Sequence, residues 1–107
     1  MDLNLSGKHI LITGGSKGIG LACAQAFLAE GARVSLVSRS EANLTRARES
    51  LSAFGSARVQ THAADLTQAA SAQAALDAAT AIFGPVDVLV NSAGAAKRTP
   101  APELTPQ

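Results

Sequence analysis

With 107 residues, the chain has room for one domain at most, because about 100–200 residues is the usual domain unit. Hydrophobic residues make up 47% and charged residues 16%, a globular balance with too little charge for disorder. A formal net charge of +1 gives no electrostatic case for nucleic acid or an anionic membrane, so any recognition of phosphate has to be local.

The N-terminal stretch MDLNLSGKHILITGGSKGIG carries an acid at Asp2 and one short apolar run, His9 to Ile12, ending at Thr13. Neither a signal peptide nor a membrane span fits it. The single cysteine, Cys23, cannot form an internal disulfide, which accords with the reducing cytoplasm, the location expected here.

Apolar runs and helical stripes then alternate. HILIT (9–13) predicts a buried strand, followed by a glycine-rich turn. In IGLACAQAFLAEG, residues Ile19, Ala22, Cys23, Ala26 and Phe27 recur at i, i+3, i+4, i+7 and i+8, one face of a helix that Gly31 closes. ARVSLVS (32–38) is the second strand. Ser40 caps a helix with Leu44, Ala47, Leu51 and Phe54 on one face, ending at Gly55. ARVQTHAA (57–64) reads as a third strand with more polar content. Thr67 caps an alanine-rich helix over about 68–83, with Leu76, Ala79 and Phe83 inward and Gly84-Pro85 as the stop. VDVLVNSAG (86–94) supplies the fourth strand and a glycine turn. The tail AAKRTPAPELTPQ, rich in proline, reads as loop, and its end carries a helix start signal, Thr105 as cap and Pro106 at the first helical position.

Strands alternating with helices of this length imply parallel βαβ crossovers, nearly always right-handed. The expected fold class is α/β, a Rossmann-type doubly wound parallel sheet, first half only, with about four strands and three helices.

TGGSKGIG (13–20) sits between a buried strand and a helix. Gly14 permits the sharp turn, Gly18 lets a pyrophosphate approach the backbone, and Gly20 lets the helix pack closely on the sheet. The helix start adds free N–H groups and a positive dipole end. A P-loop would need Lys and Ser/Thr directly after its second glycine, whereas Leu21-Ala22 follow Gly20; the spacing is also the reverse of G-x-G-x-x-G.

Thr13, Gly14, Gly18 and Gly20 match the T-G-x-x-x-G-x-G motif, and the chain resembles the short-chain dehydrogenases/reductases over its whole length. Asp65-Leu66 is similar to the family's adenine-contacting acid and its neighbour. NSAG (91–94) is similar to the family's N-N-A-G, with Ser92 where Asn is usual. The resemblance implies that residues 1–107 are the N-terminal part of a single NAD(P)-binding Rossmann domain, cut before its catalytic half. It also implies that Gly14, Ser16, Gly18, Ile19 and Gly20 surround the pyrophosphate, Asp65 and Leu66 the adenine, and Asn91, Ala93 and Gly94 the ribose next to the nicotinamide.

An NAD site of this fold usually ends its second strand with Asp or Glu, which binds the ribose 2′-OH and repels a 2′-phosphate. Here the strand ends LVSRS, with Ser38 at the acid's position and Arg39 next. Arg39 offers a planar set of donors suited to phosphate, and Lys17 a second cation. A cation at a helix start opposes the dipole unless an anion sits there. NADP(H) is therefore the expected cofactor, ahead of NAD(H).

The family's chemistry, as the resemblance implies, needs a Tyr as general acid/base, a Lys four residues later and a Ser that orients the substrate carbonyl. The chain contains no Tyr, so no catalytic residue is assigned and hydride transfer is expected only of a parent enzyme acting on a carbonyl or alcohol substrate. The expected role is its NADP(H)-binding portion; a stand-alone dinucleotide-binding module and an inactive fragment are the alternatives. A homo-oligomer is expected of the parent. The fourth strand, internal in the family, would here be an apolar edge open to self-association. His9 and His62 lack partners at metal-ligand spacing, Cys23 reads as a small core residue, and Lys97-Arg98 are too few for a nucleic-acid patch. No metal, nucleic acid or membrane contact is expected.

Overall fold

The computed structural model of the chain describes residues 4–14 and 16–92. Four strands, β1 (His9–Thr13), β2 (Arg33–Ser38), β3 (Val59–Ala63) and β4 (Val88–Asn91), form one parallel sheet in the order β3-β2-β1-β4. Three helices connect them: α1 (Gly18–Ala29), α2 (Glu41–Ser50) and α3 (Ala69–Phe83). The expected half of a doubly wound sheet is thus present. Thr105, Pro106 and the rest of the tail, with Ala93 and Gly94, lie outside the described residues.

The sheet has helices on both faces. Ile10, Ile12, Val34, Leu36 and Val59 point to α1 and α2, where they pack with Ala24, Leu28, Leu44, Ala47 and Leu51. Leu11 and Val37 point the other way and pack with Ala75 and Ala79 of α3. Alternation of side chains along a strand makes this division, and near-continuous apolar runs in β1 and β2 follow because both faces are covered. The chain steps outward from β1 to β3 and then returns past β1 to β4, so crossovers of one hand place α3 opposite α1 and α2.

Capping signals act much as expected in two helices. At the end of α1 the Gly31 N–H reaches the Leu28 carbonyl at 3.0 Å and the Ala32 N–H the Phe27 carbonyl at 3.1 Å, a Schellman closure with Gly31 at φ +91°. A Cβ there would stand 3.3 Å from Ser6 Cα. Ser40 caps α2, its Oγ accepting the Asn43 N–H at 3.1 Å. Leu44, Ala47 and Leu51 are buried. The α-helix stops at Ser50, and two 3-10 turns, Ser52–Phe54 and Ser56–Arg58, carry the chain past Gly55.

Three expectations need correction. The buried face of α1 is Gly20, Ala24 and Leu28, displaced by one residue from the expected stripe. Ile19 is 68% exposed, Ala22 and Ala26 are exposed, and Cys23 and Phe27 lie at the margin. Apolar residues occupy nearly every position of this helix, so periodicity alone does not choose a face. Thr67 does not cap α3, which starts from Gln68 with no side-chain cap. The Thr67 hydroxyl and N–H instead both donate to Asp65 Oδ1, at 2.6 and 3.0 Å. The third strand is shorter than 57–64, because residues through Arg58 are drawn into the 3-10 turn.

The N-terminal rim of the sheet is locked by His9, which is fully buried. Its Nδ1 lies 2.9 Å from the Gly84 carbonyl, to which it donates, and its Nε2 2.6 Å from Ser35 Oγ, so both ring nitrogens are engaged. Phe83 packs edge-on against it at 5.3 Å. The backbone N–H of His9 donates to Asp87 Oδ2 at 2.9 Å while Asp87 N–H returns a bond to the His9 carbonyl at 2.8 Å. Ser35→Ala leaves Nε2 buried without its hydrogen-bond partner and is expected to cost about 1–3 kcal/mol in urea unfolding. His9→Val combined with Ser35→Ala is expected to cost less than the sum of the two single changes, and additivity would contradict the pairing.

Gln60 donates from Nε2 to the Ala79 carbonyl at 3.0 Å, which leaves its Oε1 to accept His62 Nε2–H at 2.5 Å. Burial, with a smaller push from His9, holds the His62 pKa below its ordinary 6.5. The unfolded chain therefore takes up the proton first as the pH falls. His62 contributes stability that is complete above about 6.5 and is lost between that value and the lowered one. His62→Gln is expected to flatten the fall in unfolding midpoint on acidification from pH 7.5 to 5.5; an unchanged slope would refute this.

Candidate functional site

All four strands end at the same rim, since they run parallel and in register: Thr13 stands opposite Val37 and Asn91, and Ser38 opposite Ala63. The ladder extends one step past the strands through Gly14 N–H to Val37 O (2.6 Å), Ala64 N–H to Ser38 O (2.9 Å) and Ser92 N–H to Thr13 O (3.0 Å). Strand order reverses between β1 and β4, and the crevice beyond the strand ends at such a switch point is where this architecture holds ligands.

The glycine turn leaves β1 here. Gly14 has φ +71° and Gly18 φ +62°, a region that favours glycine. A Cβ on Gly18 would meet nothing within 4 Å, so the space above this backbone is open. Gly18 opens α1, and its N-cap Lys17 makes no side-chain cap. The first N–H groups of the helix thus lack a cap side chain at the positive end of its dipole. Gly20 is buried against the sheet, and exposed Ile19 stands beside the open space. Arrangements of this kind take an anion.

Beyond the end of β2 lies a cleft of about 410 Å³ lined by Gly14, Ser38, Arg39, Asn43, Asp65 and Leu66, among others. Four of the residues singled out from the sequence, Gly14, Arg39, Asp65 and Leu66, therefore meet at one cleft. Lys17 is exposed and is not part of its lining. Ser16 joins the loop to the strand end, its hydroxyl donating to Ser38 Oγ at 3.2 Å, and Ser40 N–H donates to the same oxygen at 3.3 Å. Ser38 thus accepts two bonds and keeps its own proton for the cleft.

Asp65 lines the same cleft. The Thr67 hydroxyl, then the Thr67 N–H, and more weakly Arg39, hold its carboxyl below the ordinary 3.8, against a small effect of burial. It is an anion at neutral pH and can only accept hydrogen bonds.

At the end of β4, Thr13 Oγ1 donates to Asn91 Oδ1 at 2.9 Å. The Asn91 amide nitrogen is thereby left as the end free to donate to a ligand. The Ser92 hydroxyl reaches the carbonyls of Thr13 at 2.7 Å and Gly14 at 3.0 Å. It ties β4 to the glycine turn, so the serine that replaces the usual asparagine supplies its own donor here.

Sequence reasoning missed Ser40, Asn43, Ala64 and Thr67, which also line the cleft. In the sequence Ser40 and Thr67 carry only the signal of a helix cap. For Asn43 a signal was available: a polar residue three beyond a helix cap leans back toward the helix start.

The cleft and turn fit a dinucleotide: an open glycine-backed anion site, with a cation, hydroxyl donors and a carboxylate held by Thr67 in the adjoining cleft. D-threitol dehydrogenase of Mycolicibacterium smegmatis is 44% identical over 108 residues, covering 99% of this chain and 40% of the relative. The crystal structure of L-sorbose reductase from Gluconobacter frateurii, complexed with NADPH and L-sorbose, superposes with a TM-score of 0.82 at 38% identity, over 99% of this chain and 40% of that one. The NADP-bound C-domain of a bacterial malonyl-CoA reductase superposes with a TM-score of 0.73 at 39% identity, over 80% of this chain and 14% of that one. The chain thus spans about two fifths of the length of the curated relative. The family model described as short chain dehydrogenase matches residues 8–107, and the chain belongs to that family.

Proposed function

We propose that this chain is the NADP(H)-binding portion of a short-chain dehydrogenase/reductase whose whole enzyme transfers hydride between nicotinamide and a carbonyl or alcohol substrate. The observation that carries the cofactor choice is the end of β2, where a hydroxyl (Ser38) and a guanidinium (Arg39) line the cleft at the place an NAD site gives to a carboxylate.

The chain's residues divide the work of binding. Gly14, Ser16, Gly18, Ile19 and Gly20 surround the pyrophosphate, with the backbone N–H groups at the start of α1 as donors. Arg39 takes the 2′-phosphate, and Lys17, in the glycine turn outside the cleft's lining, supplies a second cation. Asp65 accepts from the adenine amino group and Leu66 covers the ring. Asn91, with Ala93 and Gly94, holds the ribose beside the nicotinamide, its Oδ1 fixed by Thr13. The bound nicotinamide supplies the hydride. Proton transfer requires a group this chain does not carry, since it has no tyrosine.

Titration of the chain with NADPH and with NADH, read by cofactor fluorescence, tests the proposal. Saturable binding that favours NADPH is the expected result. Arg39→Asp is expected to weaken NADPH by roughly tenfold or more while changing NADH little, since it removes a charge-assisted contact and adds a repelling carboxylate. Gly18→Val, which fills the open space above the turn, is expected to weaken both cofactors alike. Equal losses for the two cofactors in Arg39→Asp would overturn the assignment to NADP(H).

A further inference from the structure

We infer that Asn43 is a specificity-determining donor toward the 2′-phosphate of NADP(H), and that Arg46 is the positioning residue that fixes its amide; the inference rests on the reading of this cleft as the NADP(H) site. Ser40 is the N-cap of α2, which places Asn43 at the third helical position. Side chains on a helix lean toward its N-terminus, and Asn43 accordingly lines the cleft beside Ser38 and Arg39.

Its amide has two unlike ends, and a hydrogen bond determines which end meets the cleft. An Arg46 Nη2 donates to Asn43 Oδ1 from one turn further along α2. A guanidinium has donors only, so the atom it holds must be the amide oxygen. The two N–H groups of Nδ2 are then the end left for the cleft. The backbone N–H of Asn43 is already given to Ser40 Oγ at 3.1 Å, so that amide nitrogen is the residue's remaining donor.

A phosphomonoester with charge close to −2 rewards additional donors. A ribose 2′-OH can be served by Ser38 alone. The contribution of Asn43 is therefore expected with a 2′-phosphate and to be nearly absent with a hydroxyl at the same place. Were the amide turned about, its oxygen would face the phosphate and repel it. Arg46, exposed on α2, acts by preventing that rotation.

The test measures Kd for NADPH, NADH, adenosine 2′,5′-bisphosphate and AMP with the chain and with Asn43→Ala, Asn43→Asp, Arg46→Met and Asn43→Ala/Arg46→Met, after circular dichroism has shown that each variant keeps the helix content of the parent. Asn43→Ala is expected to weaken NADPH and the bisphosphate about fivefold, and Asn43→Asp further, with NADH and AMP changed less than twofold. Arg46→Met is expected to weaken NADPH in the parent and to have no effect once Asn43 is alanine. An unchanged ratio of NADPH to NADH affinity in Asn43→Ala, with the parent still binding NADPH, overturns the inference and leaves the cofactor assignment standing. An equal effect of Arg46→Met with and without Asn43 overturns the positioning role, because it means that Arg46 acts through its charge alone. A parent chain that binds neither cofactor overturns the proposed function and this inference with it.

Discussion

Everything at the rim depends on β1 being held in register by neighbours from distant parts of the chain. Its two flanking strands, β2 and β4, pair with it in parallel, and the register is fastened at both ends. At the lower end His9 and Asp87 exchange two bonds; at the upper end Thr13 meets Asn91 and Ser92. A slip of one residue would exchange the faces of every side chain in the strand. It would put Ile10 and Ile12 under α3, and bring His9 out of its pocket. The same slip would draw the glycine turn away from the end of β2, parting Gly14 from the cleft it lines with Arg39.

The lower fastening shows how a polar group can reside in a core. His9 and Ser35 lie on the α3 side of the sheet, on the same face as Leu11 and Val37. Both ring nitrogens of His9 are engaged, and no buried side-chain polar atom among the described residues lacks a partner. A fully satisfied polar pair favours one arrangement over its alternatives. Here the arrangement so favoured also includes the carbonyl of Gly84, which ties the end of α3 to β1.

The parts of the fold readable from the sequence were those set by local chemistry. Ser40 as a cap, Gly31 as a helix closure and the strand HILIT each state their conformation within a few residues. The turn 13–20 was legible because three glycines at fixed spacing between a strand and a helix leave few alternatives. The α1 face was not legible, because an almost uniformly apolar helix shows which side is buried only after the sheet is in place. The Thr67 cap failed because Asp65, two residues earlier, competes for the same hydroxyl and backbone N–H, and an aspartate in a turn is a strong acceptor. Contacts across most of the chain, such as His9 with Gly84, carry no local signal. In the candidate site the glycine turn was visible, whereas the bond from Arg46 to the Asn43 amide oxygen was not, since which end of an amide faces a cleft is decided by its neighbours in space.

The two ends of α1 differ in how they are held. At its C-terminal end the Schellman bonds close on Gly31, and the Arg58 guanidinium gathers the carbonyls of Leu28, Ala32 and Phe54, a cation placed where the helix dipole is negative. At its N-terminal end the cap residue contributes no side chain. Mechanically the helix is clamped most firmly at one end and supported along its length by the Gly20–Ala24–Leu28 stripe, with Leu21, Cys23 and Phe27 at its margin. An anion seated on the first turn would act as the second support. The stiffness of the helix would then be a property shared between the protein and what it holds, with the compliance concentrated at the end that receives the charge.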